Sequence, residues 1–365
     1  MIKQFDLLEQ YSQLKPEIDS RLANVFSTCQ FCLGPQVREF ETRLAKYLGA
    51  KHAIGVSSGS AALTLSLKAL DIGQGDGVVV PANTYIATAF AVSHCGATPI
   101  FVDNDEYYNL DIKDLERKIT FATKAIMAVH LYGLPANMNK ISMIAKKYDL
   151  KVIEDSAQAL GAEYEYQKVG TLSDIGCFSF YPAKNLGCCG DGGMVVTDND
   201  KLNEKLRQLR DDGRTAKYTH KIIGHNNRLD EIQAAILNVK LKYLDEWNRK
   251  RQLIANIYTE EIWQKRLPII IPKEVKNCSH IYHQYVIRIE NRDKIRQILW
   301  DKYQIGTGVH YPIPVHQQEA YKGFNDVSCP SAERNADKLL SLPMYPELSA
   351  DSAIKVIEAL EKEIK

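Results

Sequence analysis

Between residues 52 and 197, short and almost wholly apolar runs alternate with helical stretches, and beyond residue 246 the chain turns more charged and helical. That alternation predicts an α/β fold: a large domain on a mainly parallel sheet, residues 1–245, followed by a smaller C-terminal α/β domain, residues 246–365. Strands that read as continuous apolar runs are expected where helices cover both faces of a sheet. Length agrees, because 365 residues suffice for a large core and two domains.

In chain order, residues 36–48 carry Val37, Phe40, Leu44 and Tyr47 at helical spacing, and Gly49 follows as a stop. Residues 52–57 read as a strand, Ser58-Gly59-Ser60 as a polar turn, and 61–70 as a helix. The pattern repeats with strands at 78–81, 99–103, 125–131 and 151–155, separated by helices at 84–93, 112–118 and 138–148. Two further buried strands, 175–181 and 194–197, flank a turn that holds Lys184. Next come a helix at 200–209, a polar loop at 210–228, a helix at 229–244 and a long charged helix at 245–265. The C-terminal unit is expected to hold a strand at 285–289 and a closing amphipathic helix at 350–364.

Composition narrows the function. Apolar residues make up 45% and charged residues 25%, with a formal net charge of +1 and no basic block, so neither nucleic acid nor an anionic membrane is an expected partner. The longest uncharged stretch, 77–102, is interrupted by Pro81, Asn83, His94, Gly96 and Pro99 and makes a poor membrane span. No secretory signal opens the sequence, and the expected location is cytoplasmic. Of eight cysteines, Cys29 and Cys32 form a lone CxxC with no second pair to complete a metal site, so no metal is expected and the thiols read as reduced.

Four features far apart in sequence suit one ligand. Ser57-Ser58-Gly59-Ser60 puts hydroxyls and amides at a helix start, which fits a phosphate and equally an ordinary N-cap. Tyr85 follows a strand at its C-terminal end, where open α/β sheets bind ligands; it reads either as a stacking ring or as a core tyrosine. Asp155 and Gln158 end another buried strand, where the carboxylate is either a helix N-cap or the partner of a cation. Lys184 lies among Ser179, Phe180, Tyr181, Pro182 and a run of glycines, which reads either as a tight connection whose glycines merely turn the chain or as a setting suited to a partly desolvated amine with a lowered pKa, ready for nucleophilic or Schiff-base chemistry. An amine for an aldehyde, Ser60 and Ser179 for a phosphate, Asp155 for a ring nitrogen and Tyr85 for a ring face match the needs of pyridoxal 5′-phosphate. A dinucleotide is disfavoured, because no GxGxxG joins a strand to a helix and Gly73-Gln74-Gly75-Asp76-Gly77 follows a helix.

Longer motifs carry a resemblance. Val56-Ser57-Ser58-Gly59-Ser60-Ala61-Ala62-Leu63, Val129-His130-Leu131-Tyr132-Gly133, Glu154-Asp155-Ser156-Ala157-Gln158, Ser179-Phe180-Tyr181-Pro182-Ala183-Lys184-Asn185-Leu186-Gly187, Gly190-Asp191-Gly192-Gly193 and Asn226-Asn227-Arg228-Leu229-Asp230-Glu231 occur in this order. Together they resemble the DegT/DnrJ/EryC1 family of nucleotide-sugar aminotransferases. The resemblance implies fold type I of the PLP-dependent transferases, like aspartate aminotransferase, with a mainly parallel seven-stranded sheet in the large domain. It implies that Lys184 bonds the cofactor and moves protons, that Asp155 keeps the pyridine nitrogen protonated and that Gln158 meets the ring's phenolic oxygen. Gly59, Ser60 and Ser179 would hold the phosphate, joined by Asn226 from a neighbouring subunit of a homodimer.

The implied reaction moves an amino group from glutamate to a ketone on a nucleotide-linked sugar. The segment 308–316, with His310 and Tyr311 between glycine and prolines, resembles relatives that aminate C3 of a keto-deoxysugar linked to dTDP or UDP. Lys217, His220 and Arg228 are candidates for gripping the diphosphate. The alternatives are a C4-specific aminotransferase, a non-catalytic regulatory protein on the same fold, and a lyase or desulfurase using Cys188 or Cys189. Leu160 stands where many relatives have histidine, and Cys188-Cys189 where small residues are usual.

Overall fold

The computed structural model describes residues 1–324 and 326–364. Seven strands form its main sheet: β1 His52–Val56, β2 Gly77–Pro81, β3 Thr98–Val102, β4 Thr123–Val129, β5 Lys151–Asp155, β6 Ile175–Ser179 and β7 Gly193–Thr197. Their spatial order is β1-β7-β6-β5-β4-β2-β3. β7 runs antiparallel to both its neighbours and the remaining pairs, from β6 to β3, are parallel. The expected mainly parallel sheet is present.

Alternate residues of each strand face opposite layers, as the period of two requires. Val78, Val80, Ala125, Met127, Ile153, Ile175 and Val195 enter a core shared with helices α3 (Gly59–Ala69) and α4 (Ala87–His94). Val79, Ile126, Ala128 and Val152 face the opposite layer, with Leu115 of α5 (Ile112–Lys118) and Ile141 and Ile144 of α6 (Met138–Lys147). Phe178, Met194 and Val196 pack against α1 (Leu8–Thr28), α2 (Pro35–Leu48) and α8 (Glu231–Lys240). Helix α7 (Asp200–Leu209) adds Leu206 and Leu209 to the first of these cores.

Helix α9 (Leu244–Gln264) begins in one core through Leu244 and Trp247 and ends in another through Ile254, Tyr258 and Ile262. That last core holds the antiparallel pair β8 (Tyr285–Arg288) and β9 (Leu339–Leu342), with α10 (Arg292–Tyr303) and α12 (Ala350–Ile364), whereas α11 (Pro330–Ala336) gives Ala332 to the first core. The chain's first residues join it too: Ile2 exchanges backbone hydrogen bonds with Gln304 and Gly306, and Gln4 accepts one from Met344.

Several sequence expectations need correction. The strand expected at 125–131 ends at Val129, because Tyr132 takes a left-handed backbone (φ 59°) and bends the chain into a short turn, Leu131–Gly133. The strand expected at 175–181 stops at Ser179, leaving Phe180 buried and Tyr181 exposed. The polar loop at 210–228 contains a small hairpin, Arg214–Ala216 against Thr219–His220. Residues 84–86 form a turn ahead of α4 rather than its first turn. Helix α1 was not expected at all. Its buried stripe, Gln10, Leu14, Ile18 and Val25, is sparse, and Pro16 lies within it.

Candidate active site

The carboxyl ends of β6, β5 and β2 lie along the same edge of the sheet, with β4 between β5 and β2, as expected for parallel strands whose connecting helices lie on the faces. Asp155 ends β5 and is buried. Its Oδ2 accepts from the Thr88 hydroxyl at 2.9 Å and its Oδ1 from the Ala157 amide at 3.2 Å. Burial raises its pKa, while those two hydrogen bonds and the charge of Lys184 act in the opposite direction. No cation lies within ion-pair distance of it among the described residues.

Lys184 sits in the turn after β6, held by its own amide donating to the Tyr181 carbonyl at 2.8 Å. Burial pushes its amine down to about 8, against the pull of Asp155. Its neighbour Asn185 is anchored deeply: Nδ2 donates to Asn248 Oδ1 at 2.7 Å, and Oδ1 faces His283 Nδ1 at 3.1 Å. Because the Asn185 oxygen can only accept, that His283 nitrogen carries the proton. His283 and His310 are both held below the usual imidazole pKa, first by burial and then by the charge of Lys184 among their neighbours; for His310 the value is about 4.

Facing this centre, Ser58 caps α3 by accepting from the Ala61 amide at 3.0 Å. Gly59 presses so closely on Ser179 that a Cβ there would lie 2.7 Å from the serine Cβ. The two expected phosphate elements therefore touch, although the cap itself is Ser58 and Ser60 is exposed. Tyr85 is 57% exposed rather than a core tyrosine, and its ring lies 6.0 Å from that of Tyr311.

Gln158 links two segments. Its Oε1 accepts from the Tyr132 amide at 2.7 Å, and its Nε2 donates to the Tyr311 hydroxyl at 3.0 Å. The Tyr132 hydroxyl in turn donates to the His310 carbonyl, and His310 Nδ1 pairs with Ser341 Oγ at 2.7 Å. His316 pairs instead with Glu333 at 3.0 Å, so the two histidines of this segment serve different neighbours.

The other expected residues lie elsewhere in the fold. Lys217 and His220 belong to the exposed 214–220 hairpin, where Lys217 sits over the Tyr218 ring and His220 Nδ1 meets the Asp212 carbonyl. Arg228 is half-buried and pairs with Asp211 at 2.8 Å. Asn226 is exposed, fixed by a backbone bridge to Asp211. Leu160 is buried in the core cluster that holds Phe178, Phe180 and Trp247. Cys188 is also core: its thiol sits 2.9 Å from the Phe180 carbonyl, and burial drives its pKa up to about 12. That is unsuited to a reactive thiolate.

Sequence reasoning missed Thr84, Thr88, Tyr132 and His283. The spacing of Thr84 and Thr88, one helical turn apart just beyond a strand's carboxyl end, is a signal for that pair, and Tyr132 lies within the 129–133 motif, which assigned it no role.

A family profile described as the DegT/DnrJ/EryC1/StrS aminotransferase family matches residues 12–361. The chain belongs to this family. A relative from Aneurinibacillus thermoaerophilus, the dTDP-3-amino-3,6-dideoxy-alpha-D-galactopyranose transaminase, is 45% identical over 99% of this chain and 99% of its own. A protein of Geobacillus stearothermophilus named pleiotropic regulatory protein is 44% identical over 98% of this chain and 97% of its own. Among solved structures, Streptomyces venezuelae DesV in complex with a ketimine intermediate is similar with a TM-score of 0.97. It is 42% identical, covering 100% of this chain and 98% of that one. The shared fold is that of the PLP-dependent aminotransferases, fold type I.

Proposed function

We propose that this protein is a PLP-dependent aminotransferase that moves an amino group from glutamate to the C3 ketone of a nucleotide-linked keto-deoxysugar. The observation that carries the reading is that Lys184, its amine lowered to about 8, lies near enough to feel the charge of Asp155, a buried carboxylate with no cation at ion-pair distance among the described residues. A buried carboxylate without a cation costs free energy that a protonated ring nitrogen would offset. The residues present therefore fit pyridoxal 5′-phosphate.

When bound, this cofactor supplies an electron-withdrawing ring that stabilises negative charge on the carbon losing a proton. Lys184 would hold it covalently and would take and return protons through Nζ; an amine tuned toward neutrality suits that task. Asp155 would keep the ring nitrogen protonated. Gly59 and Ser60, at the start of an 11-residue helix, and the Ser179 hydroxyl would bind the phosphate. Tyr85 would cover a ring face. Gln158 has a second amide N–H beyond the one given to Tyr311, and it would meet the phenolic oxygen.

Amination at C3, rather than C4, rests on the resemblance of 308–316 and on relatives named for 3-amino sugars. His310 and Tyr311 would contact the sugar, a reading supported by the charge of Lys184 felt at His310, the Gln158–Tyr311 hydrogen bond and the Tyr85 ring beside that of Tyr311. Asn226, with Lys217, His220 and Arg228 as the diphosphate candidates, would act across the interface of a cytoplasmic homodimer, which accounts for an exposed asparagine and an exposed cationic hairpin. The division at 245/246 belongs to the same proposal, with α9 crossing it.

The test is the visible absorption spectrum of purified protein supplied with pyridoxal 5′-phosphate, before and after glutamate. A band that glutamate bleaches, absent in Lys184→Ala, is the expected result. Mass analysis of product from dTDP- and UDP-linked 3-keto and 4-keto sugars then identifies the acceptor. A parent protein with no band would overturn the reading and favour a regulatory role.

A further inference from the structure

Asp155 is met by Thr88, which Thr84 meets in turn, and no part of the reading above uses either threonine. Thr84 and Thr88 lie one turn apart, the first in the turn after β2 and the second at the start of α4, and both are buried. Their hydroxyl oxygens are 3.0 Å apart, and Thr88 Oγ1 is 2.9 Å from Asp155 Oδ2. An ionised carboxylate only accepts, so Thr88 must donate to it; Thr88 has a single proton, so Thr84 must donate to Thr88. The hydroxyls thus form a directed relay that ends on the carboxylate. The Ala157 amide fixes the other oxygen at 3.2 Å, so the carboxylate plane is held at both ends.

The same turn carries Tyr85, which points outward while Thr84 and Thr88 point inward. One segment therefore sets the expected ring-face residue and the expected ring-nitrogen residue together.

We infer that Thr88, supported by Thr84, is a positioning residue that orients Asp155 and keeps it ionised for the cofactor's ring nitrogen. This rests on the aminotransferase reading. Every donor in the relay favours the charged carboxylate over the neutral acid, which opposes the effect of burial. A hydroxyl donating to a charged group is worth enough that its loss should weaken cofactor binding about tenfold or more.

The experiment compares Thr88→Val, Thr88→Ser and Thr84→Val with the parent protein, measuring the dissociation constant for pyridoxal 5′-phosphate and thermal unfolding of the cofactor-free chains. Valine keeps the shape of threonine and removes the hydroxyl; serine keeps the hydroxyl and removes a methyl. The inference expects Thr88→Val to bind about tenfold more weakly, Thr88→Ser to regain parent affinity, and Thr84→Val to fall between them. Thr88→Val binding like the parent would overturn it. So would serine and valine variants that lose affinity equally, since packing rather than the hydroxyl would then matter. A parent protein that binds no cofactor fails the aminotransferase reading itself, a result distinct from either of these.

Discussion

The Gln158 side chain donates to the Tyr311 hydroxyl at 3.0 Å, joining the end of β5 to a segment more than 150 residues further along the chain. Since the Gln158 oxygen also accepts from the Tyr132 amide at 2.7 Å, one side chain ties its own segment to two others. Replacing Tyr311 by Phe removes one hydrogen bond and little volume. It is expected to cost about 1 kcal/mol, with faster amide exchange confined to residues around 308–316. Unchanged exchange there would show that the bond does not hold the segment.

The Lys184 amine is expected to titrate near 8 in the cofactor-free protein, because desolvation outweighs the attraction of Asp155. Acylation of Lys184, followed by peptide mapping, should rise as pH passes through about 8, where the free amine forms. The sign for stability follows from the depressed folded pKa. Between about 8 and the ordinary 10.5 the unfolded chain binds the proton and the folded chain does not, so this group's contribution to stability rises with pH across that window. An acylation midpoint near 10.5 would contradict the desolvated environment.

Glu154 is fully buried and accepts from Gly170 and Leu172 amides, the Ser173 hydroxyl and His130. The Ala136 amide donates to His130 Nδ1 at 3.0 Å, which leaves the proton on Nε2, facing the carboxylate. Glu154→Gln puts an N–H₂ group against donors on one side or the other. A loss of about 3 kcal/mol or more is expected in denaturant unfolding, and a loss below about 1 kcal/mol would show that these donors do not depend on a carboxylate at this position.

A thiol-reactive reagent applied to the native protein should label exposed Cys29, Cys32 and Cys189 and spare Cys188. Cys188 has its pKa raised to about 12 by burial, and its thiol meets the Phe180 and Gly190 carbonyls. Cys189→Ser should retain turnover, since Gln233 binds that residue through its backbone. Loss of turnover in that variant would favour the desulfurase reading.

The sheet was legible because strands such as 78–81 and 151–155 carry their burial in their composition, apolar on successive residues with a helix on either side. Lys184, Asp155 and Gly59 were legible because each follows or precedes such a strand and falls within a longer motif. Helix α1 was not, since four buried positions in 21 residues leave its apolar stripe too thin to stand out. The hairpin at 214–220 escaped for a related reason: its strands are exposed and polar, with no alternating face to read.

By itself the sequence determined the α/β class, the positions of the buried strands and the chemical types that gather at their ends, because these depend on local composition and spacing. It also carried the family, through motifs in a fixed order. Only the tertiary structure decided which of those residues meet. It set Tyr85 facing Tyr311 rather than in the core, placed Leu160 and Cys188 in the core, and put the Thr84–Thr88 relay against Asp155. These outcomes depend on contacts between segments tens to hundreds of residues apart. Such contacts are set by packing and hydrogen-bond geometry across the whole fold, and no local window of sequence contains them.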